Sequence, residues 1–222
     1  MMWGGNVRKY ISKNAVLLMI AAIILFLIIV NNYNEVFIRN IDNSMIDWLL
    51  ANTNHFMIYV FEVITIFANW QMIIFLSIVI LAFARDKVIA ALVSIISGFG
   101  FLINETLKAN FVRPRPTVMH LTEAGGYSMP SGHSLVAMVF YGLILIFFAS
   151  KVKEKNYRYL SYVLLAILIG LIGFSRIYLR VHYVSDVIAG FSLGLVILTI
   201  VYNLKIGIFD NIKTYIEGEE NE

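Results

Sequence analysis

The stretch VIAGFSLGLVILTIVYNL, residues 187–204, runs for 18 residues without an Asp, Glu, Lys or Arg. A bilayer core of roughly 30 Å takes about 20 apolar helical residues, with a range near 17–25. The run has no polar face to turn toward water, so it reads as a membrane span. Five further stretches lack those four residue types over comparable lengths: 14–34, 63–84, 88–104, 124–150 and 159–175. Composition agrees, with 60% apolar residues, 14% charged and a mean hydropathy of +0.81. Soluble domains hold roughly 45–50% apolar and about 25% charged residues. A water-soluble globular domain is therefore excluded, and so is disorder, which needs few apolar residues.

The expected fold is an all-α integral membrane protein, with six transmembrane helices bundled into one domain over residues 1–222. A seventh stretch, 48–61, holds 14 residues including Asn52, Asn54 and His55. It is short for a span and is expected to be an interfacial or re-entrant helix leading into the second span. Arg8, Lys9 and Lys13 before the first span resemble the start of a signal peptide. No small-residue cleavage site follows at 31–34, so the stretch is expected to stay as an anchor. Residues 212–222 form an acidic end, expected as a flexible tail. Ala90, Ser94 and Gly98 recur every fourth residue and predict close helix packing.

Lys and Arg in short loops favour the cytoplasmic side. With the N-terminus inside, the inner segments hold 11 of the 17 Lys and Arg residues and the outer segments 6. Both termini are then expected in the cytosol. The outer six are Arg39, Lys108, Arg113, Arg115, Arg176 and Arg180, and five of them fall in two tight clusters. Topology disfavours them there, so function is the natural reason to keep them. The net charge of +3 is otherwise scattered and forms no nucleic-acid face. With no Cys, disulfides, thiolate metal sites and Cys nucleophiles are excluded.

Three segments carry the chemistry: Lys108-Ala-Asn-Phe-Val-Arg-Pro-Arg115-Pro116, Pro130-Ser131-Gly132-His133, and Ser175-Arg176-x5-His182-x3-Asp186. Span parity puts all three at one membrane surface: Lys108 ends an outward span, His133 opens an inward one, Arg176 ends the next, and His182 and Asp186 open the last. Lys108, Arg115 and Arg176 suit a phosphate monoester, which carries roughly −1.5 to −2 charges at neutral pH. Ser131 and Gly132 open a helix whose free N–H groups bind anions. His182 and Asp186 are four apart and are expected on one helical face. There Asp186 holds one imidazole nitrogen and leaves the other as a nucleophile. His133 protonates the leaving oxygen and then deprotonates water. No step needs metal. His133, His182 and Asp186 are competent ligands for an ion, but the three cations beside them repel it.

The chain thus resembles the type 2 phosphatidic acid phosphatase family, with every position of that three-part signature matched in order between Lys108 and Asp186. The resemblance implies metal-independent hydrolysis of lipid phosphates through a phosphohistidine, with His182, His133 and Asp186 catalytic. Lys108, Arg115, Ser131, Gly132 and Arg176 bind phosphate. Vanadium haloperoxidases share the likeness and raise a cofactor alternative; a membrane-embedded chain argues for a phosphatase without cofactor. The partners implied are a lipid phosphate and the bilayer, with no nucleic acid and no obligatory protein. The compact chain resembles bacterial members, which places it in a cytoplasmic membrane with its site outward. Candidate substrates are undecaprenyl diphosphate, phosphatidylglycerol phosphate and phosphatidic acid. Phosphotransfer through the same phosphohistidine, or anionic-lipid transport, are the competing functions.

Outside the signature, Arg113 is expected to contact substrate or a lipid headgroup. Glu105 is expected to pair with Lys108 and His120 to be solvated; for Glu62, touching the site or capping a helix near it is the lesser reading. Tyr178 and Tyr183 are expected as interfacial belt residues.

Overall fold

The computed structural model describes residues 12–205, and all of its regular structure is helical. Eight α-helices follow in order: α1 (Lys13–Asn32), α2 (Val36–Asn52), α3 (His55–Ile66), α4 (Trp70–Phe83), α5 (Lys87–Phe111), α6 (Gly132–Phe147), α7 (Lys155–Tyr178) and α8 (Val184–Leu204). The acidic tail expected at 212–222, and Arg8 and Lys9 before the first span, lie outside the described residues.

Five helices, α1, α5, α6, α7 and α8, are long and apolar enough to cross a membrane. The remaining span is broken: α3 and α4 pass the same test together but are bent by 49°. The break falls at Phe67-Ala68-Asn69, where backbone groups lose their helical partners. One of them is recovered, because the Tyr141 hydroxyl donates to the Phe67 carbonyl at 2.7 Å.

The helix expected over 48–61 is corrected. That stretch is cut at Thr53–Asn54, where Asn54 caps α3 by accepting from the Met57 N–H at 2.9 Å. The extra helix lies upstream, as α2, and residues 55–61 belong to the broken span. α2 carries Arg39, Asp42 and Asp47 and buries Asp42, Ile46 and Leu49, spaced 4 and 3 apart as one helical face requires. The fourth span also starts later than expected: residues 112–131 are irregular and the helix begins at Gly132.

α6 is the central helix. Its Leu135, Val139, Phe140, Leu143 and Phe147 pack with Val93 of α5, Ile172 of α7 and Leu198 of α8. α8 lies against both α6 and α1. The α6–α8 approach depends on Gly190, where a Cβ would sit 2.5 Å from the Ser131 carbonyl oxygen. Lipid tails are as apolar as these side chains, so close packing, rather than escape from water, holds the helices together. The stripe expected at Ala90, Ser94 and Gly98 is not the packed face. Gly98 is exposed with nothing near it, and the buried face of α5 runs through Ala90, Val93, Ser97, Gly100 and Asn104.

Candidate active site

The site forms at one end of the bundle, where α5 and α7 finish and α6 and α8 begin. α5 ends at Val112 in the left-handed conformation (φ 51°). Pro114 and Pro116 then keep the chain from resuming a helix. The loop runs back to Ser131, whose N–H donates to the Asp186 carbonyl at 3.0 Å. This bond ties the start of α6 to the first turn of α8.

His182 and Asp186 meet, but not as neighbours on one helix. α8 starts only at Val184, with Tyr183 as its N-cap. Asp186, at the third helical position, turns back so that Oδ2 accepts from the Tyr183 N–H at 2.9 Å. That turn also brings Oδ2 to 3.4 Å from His182 Nδ1. The His182 N–H donates to the Arg176 carbonyl at 3.2 Å, which fixes the approach from α7.

His182 Nε2 lies 3.1 Å from Arg115 Nη1. An arginine only donates, so Nε2 presents its lone pair and the ring proton sits on Nδ1, toward Asp186. Burial holds the His182 imidazole well below the usual histidine range, and the charges of Arg115, Arg176 and Lys108 push it the same way. The ring is therefore neutral at pH 7, with the Nε2 lone pair accepting from Arg115.

The three expected cations converge. Arg115 also donates to the carbonyls of Val181 (2.7 Å), Gly125 (2.7 Å) and Gly126 (3.1 Å). These bonds pin the guanidinium beside Nε2. Arg176, buried, donates from Nη1 to Thr65 Oγ1 at 2.7 Å, while its Nε has no partner. Lys108 pairs with Glu105 at 3.5 Å, as expected. Its Nζ lies 3.9 Å from the point where a Gly132 side chain would begin, and Asn104 Oδ1 lies 2.9 Å from that point. Only glycine leaves both groups room. Ser131 does not cap α6 with its hydroxyl, so the first-turn N–H groups are not taken by a side chain. His133 lies within electrostatic reach of His182, Arg176, Lys108 and Arg115.

Arg113 departs from expectation. It is 5% exposed and turned inward, bonded to Asp186 Oδ1 (2.6 Å), Ser185 Oγ (2.7 Å) and Asp42 Oδ2 (2.8 Å). A side chain so committed does not reach a substrate or headgroup. Tyr183 is not a belt residue: its ring faces the Arg113 guanidinium at 4.3 Å. Nor is Tyr178, which is buried against Phe61 and accepts from the Asn54 N–H. Glu62 takes no part in the site's hydrogen bonds, and His120 bonds to the Pro116 carbonyl within its loop at 2.9 Å.

Three contributors were not identified from sequence: Thr65, Asn69 and Asp42. Asn69 stands at the break of the second span. It does not cap α4; its Oδ1 instead meets His133 Nε2 at 2.7 Å. The signal for it was an amide in the middle of an apolar span, and for Asp42 an acid among apolar residues at helical spacing.

Known proteins share parts of this sequence and its fold. Bacillus subtilis (strain 168) phosphatidylglycerophosphatase B is 35% identical over 111 residues, 50% of this chain and 55% of that one. The dolichyldiphosphatase of Saccharomyces cerevisiae is 34% identical over 114 residues, 45% of this chain and 46% of that one. The matched stretch thus spans about half the length of these two relatives. The crystal structure of a transmembrane PAP2 type phosphatidylglycerolphosphate phosphatase from Bacillus subtilis superimposes with a TM-score of 0.80 at 25% identity, covering 86% of this chain and 96% of that one. Aquifex aeolicus LpxE shares the fold, with a TM-score of 0.60 at 21% identity over 74% of this chain and 94% of that one. Residues 86–208, more than half of the sequence and all three motif segments, match the model of the PAP2 superfamily, and the chain belongs to that family.

Proposed function

We propose that the protein is a membrane phosphatase that hydrolyses lipid phosphates or diphosphates through a phosphohistidine at His182. One observation carries the reading: the His182 imidazole has a carboxylate 3.4 Å behind Nδ1 and its Nε2 lone pair turned to Arg115, with Arg176 and Lys108 within electrostatic reach. A site that only bound or transported anionic lipids would have no use for that lone pair.

In the first step the Arg115 N–H passes from Nε2 to a phosphoryl oxygen, His182 Nε2 attacks phosphorus as the bond to the lipid oxygen breaks, and His133 gives that oxygen its proton. Asp186 stabilises the positive charge growing on the ring. Lys108, Arg115, Arg176 and the N–H groups after Ser131 neutralise the phosphoryl oxygens in the transition state. In the second step His133 takes a proton from water, the water oxygen attacks phosphorus and the N–P bond breaks. Inorganic phosphate leaves and His182 is again neutral. An alcohol in place of water gives a phosphotransferase with the same machinery.

Undecaprenyl diphosphate and phosphatidylglycerol phosphate are the favoured substrates, ahead of phosphatidic acid. The similarity to a phosphatidylglycerophosphatase and a dolichyldiphosphatase supports both. We read the site as facing outward from a bacterial cytoplasmic membrane; the Lys and Arg balance supports the orientation. Phosphate release by purified protein from each of the three lipids tests the reading. Release from at least one, undiminished by a strong chelator, is expected; release from none, or loss of activity on chelation, contradicts it.

The pH dependence follows from the cations. Arg115 helps keep His182 neutral, so its charge sets how acid the medium must be before the nucleophile is protonated. Removing that charge raises the proton affinity of the ring. Arg115→Gln should therefore move the acid limb of kcat/KM to higher pH, besides weakening substrate binding. A limb that stays in place would separate Arg115 from the nucleophile.

A further inference from the structure

We propose that Asp42 and Arg113 form a positioning pair that sets the Asp186 carboxylate behind His182. This rests on the phosphatase reading and adds residues that the three-part signature does not contain. Asp42 comes from α2, far from the motifs in sequence, and is 1% exposed. Its Oδ1 accepts from the Ser185 N–H at 3.0 Å, and its Oδ2 accepts from Arg113 Nη2 and the Ser185 hydroxyl. Arg113 Nη1 takes Asp186 Oδ1 at 2.6 Å. That leaves Asp186 Oδ2 to face His182 Nδ1 and the Tyr183 N–H.

The Arg113 guanidinium is flanked by the rings of Tyr183 at 4.3 Å and Tyr33 at 4.9 Å, so it has little freedom to swing. A fork held at both prongs between two carboxylates is a geometry that lysine cannot supply. Burying two carboxylates is costly unless they are paired and hydrogen-bonded. A bond that only tied α2 to α8 needs one acid and one base. Here a single guanidinium serves two acids, and the cluster keeps one net negative charge on the Nδ1 side of His182. That is where positive charge grows when Nε2 bonds to phosphorus. The other charged or titratable groups facing His182 are Arg115 from the loop, Arg176 from α7, Lys108 from α5 and His133 from α6.

The test is kcat, KM and the pH profile of phosphate release from whichever of the three lipids the wild-type protein turns over fastest, with full-length Asp42→Asn, Asp42→Glu and Arg113→Lys. Asp42→Asn should lower kcat by about ten-fold or more with KM nearly unchanged, as supporting residues behind a reacting group commonly do. Its acid limb should move to lower pH, because His182 loses a negative neighbour. Asp42→Glu should recover part of the kcat and return the limb toward wild type. If Asp42→Asn does not fold, Arg113→Lys takes its place and should show the same fall in kcat at nearly constant KM. Folded Asp42→Asn or Arg113→Lys with wild-type kcat would overturn the positioning role while leaving the phosphatase reading intact. So would a loss that only tracks the folded fraction, with the limb of Asp42→Asn unmoved. Wild-type protein that releases no phosphate from any of the three lipids would overturn the phosphatase reading and the role with it.

Discussion

His182→Gln should lower turnover by about three orders of magnitude or more while the protein still folds and inserts. Removing a covalent nucleophile deletes the path itself, and the residual rate is what binding and charge stabilisation provide alone. His182 is 2% exposed and packs in a loop, so glutamine's similar length limits the structural cost. It also removes a ring whose proton affinity burial had already depressed, so no buried charge loses its only partner. The check is steady-state phosphate release beside a thermal melt in detergent. Unfolding of the variant would show up as a lowered melting temperature. A folded variant with more than about a tenth of wild-type turnover is incompatible with nucleophilic attack by this residue.

His133→Ala should cost about 10²–10⁴-fold on a natural lipid phosphate, the usual range for a general acid or base. The loss should shrink on an aryl phosphate, whose leaving oxygen needs no proton. This contrast separates acid catalysis from phosphate binding, because loss of a binding group would slow both substrates alike. His133 is placed for the role: it opens α6 beside the site and is held by Asn69 from the break in the second span. Equal losses on both substrates would reassign His133 to holding the phosphoryl oxygens.

Much of this site was legible because charge is rare in an apolar chain. Lys108, Arg115, Arg176, His133, His182 and Asp186 stand out at span ends, and span parity alone brings them to one surface. The helical bundle was legible for the same reason, since runs of about 20 apolar residues have few other uses. Register and support were not. The four-residue spacing of His182 and Asp186 suggested a shared helical face, but a capping turn at Tyr183 creates the contact instead. Arg113 looked outward-facing beside Arg115. Its true partner, Asp42, lies 71 residues earlier, and no local pattern announces a pairing over that distance. α2 was not legible as a helix because Arg39, Asp42 and Asp47 break the apolar run on which the spans were read. Thr65 and Asn69 sit in a span that reads as continuous, and the bend that turns Asn69 toward His133 is a property of packing rather than of composition.

The central claim is that the phosphoryl group rests on one imidazole between its arrival and its release. Purified protein would be mixed with phosphatidylglycerol phosphate carrying a radiolabelled terminal phosphate, quenched within a turnover in alkali, and digested for peptide mapping. The account predicts label on His182, stable to alkali, lost in acid and absent from His182→Gln. Label on Ser131 or another residue, or turnover with no labelled protein at any quench time, would contradict it.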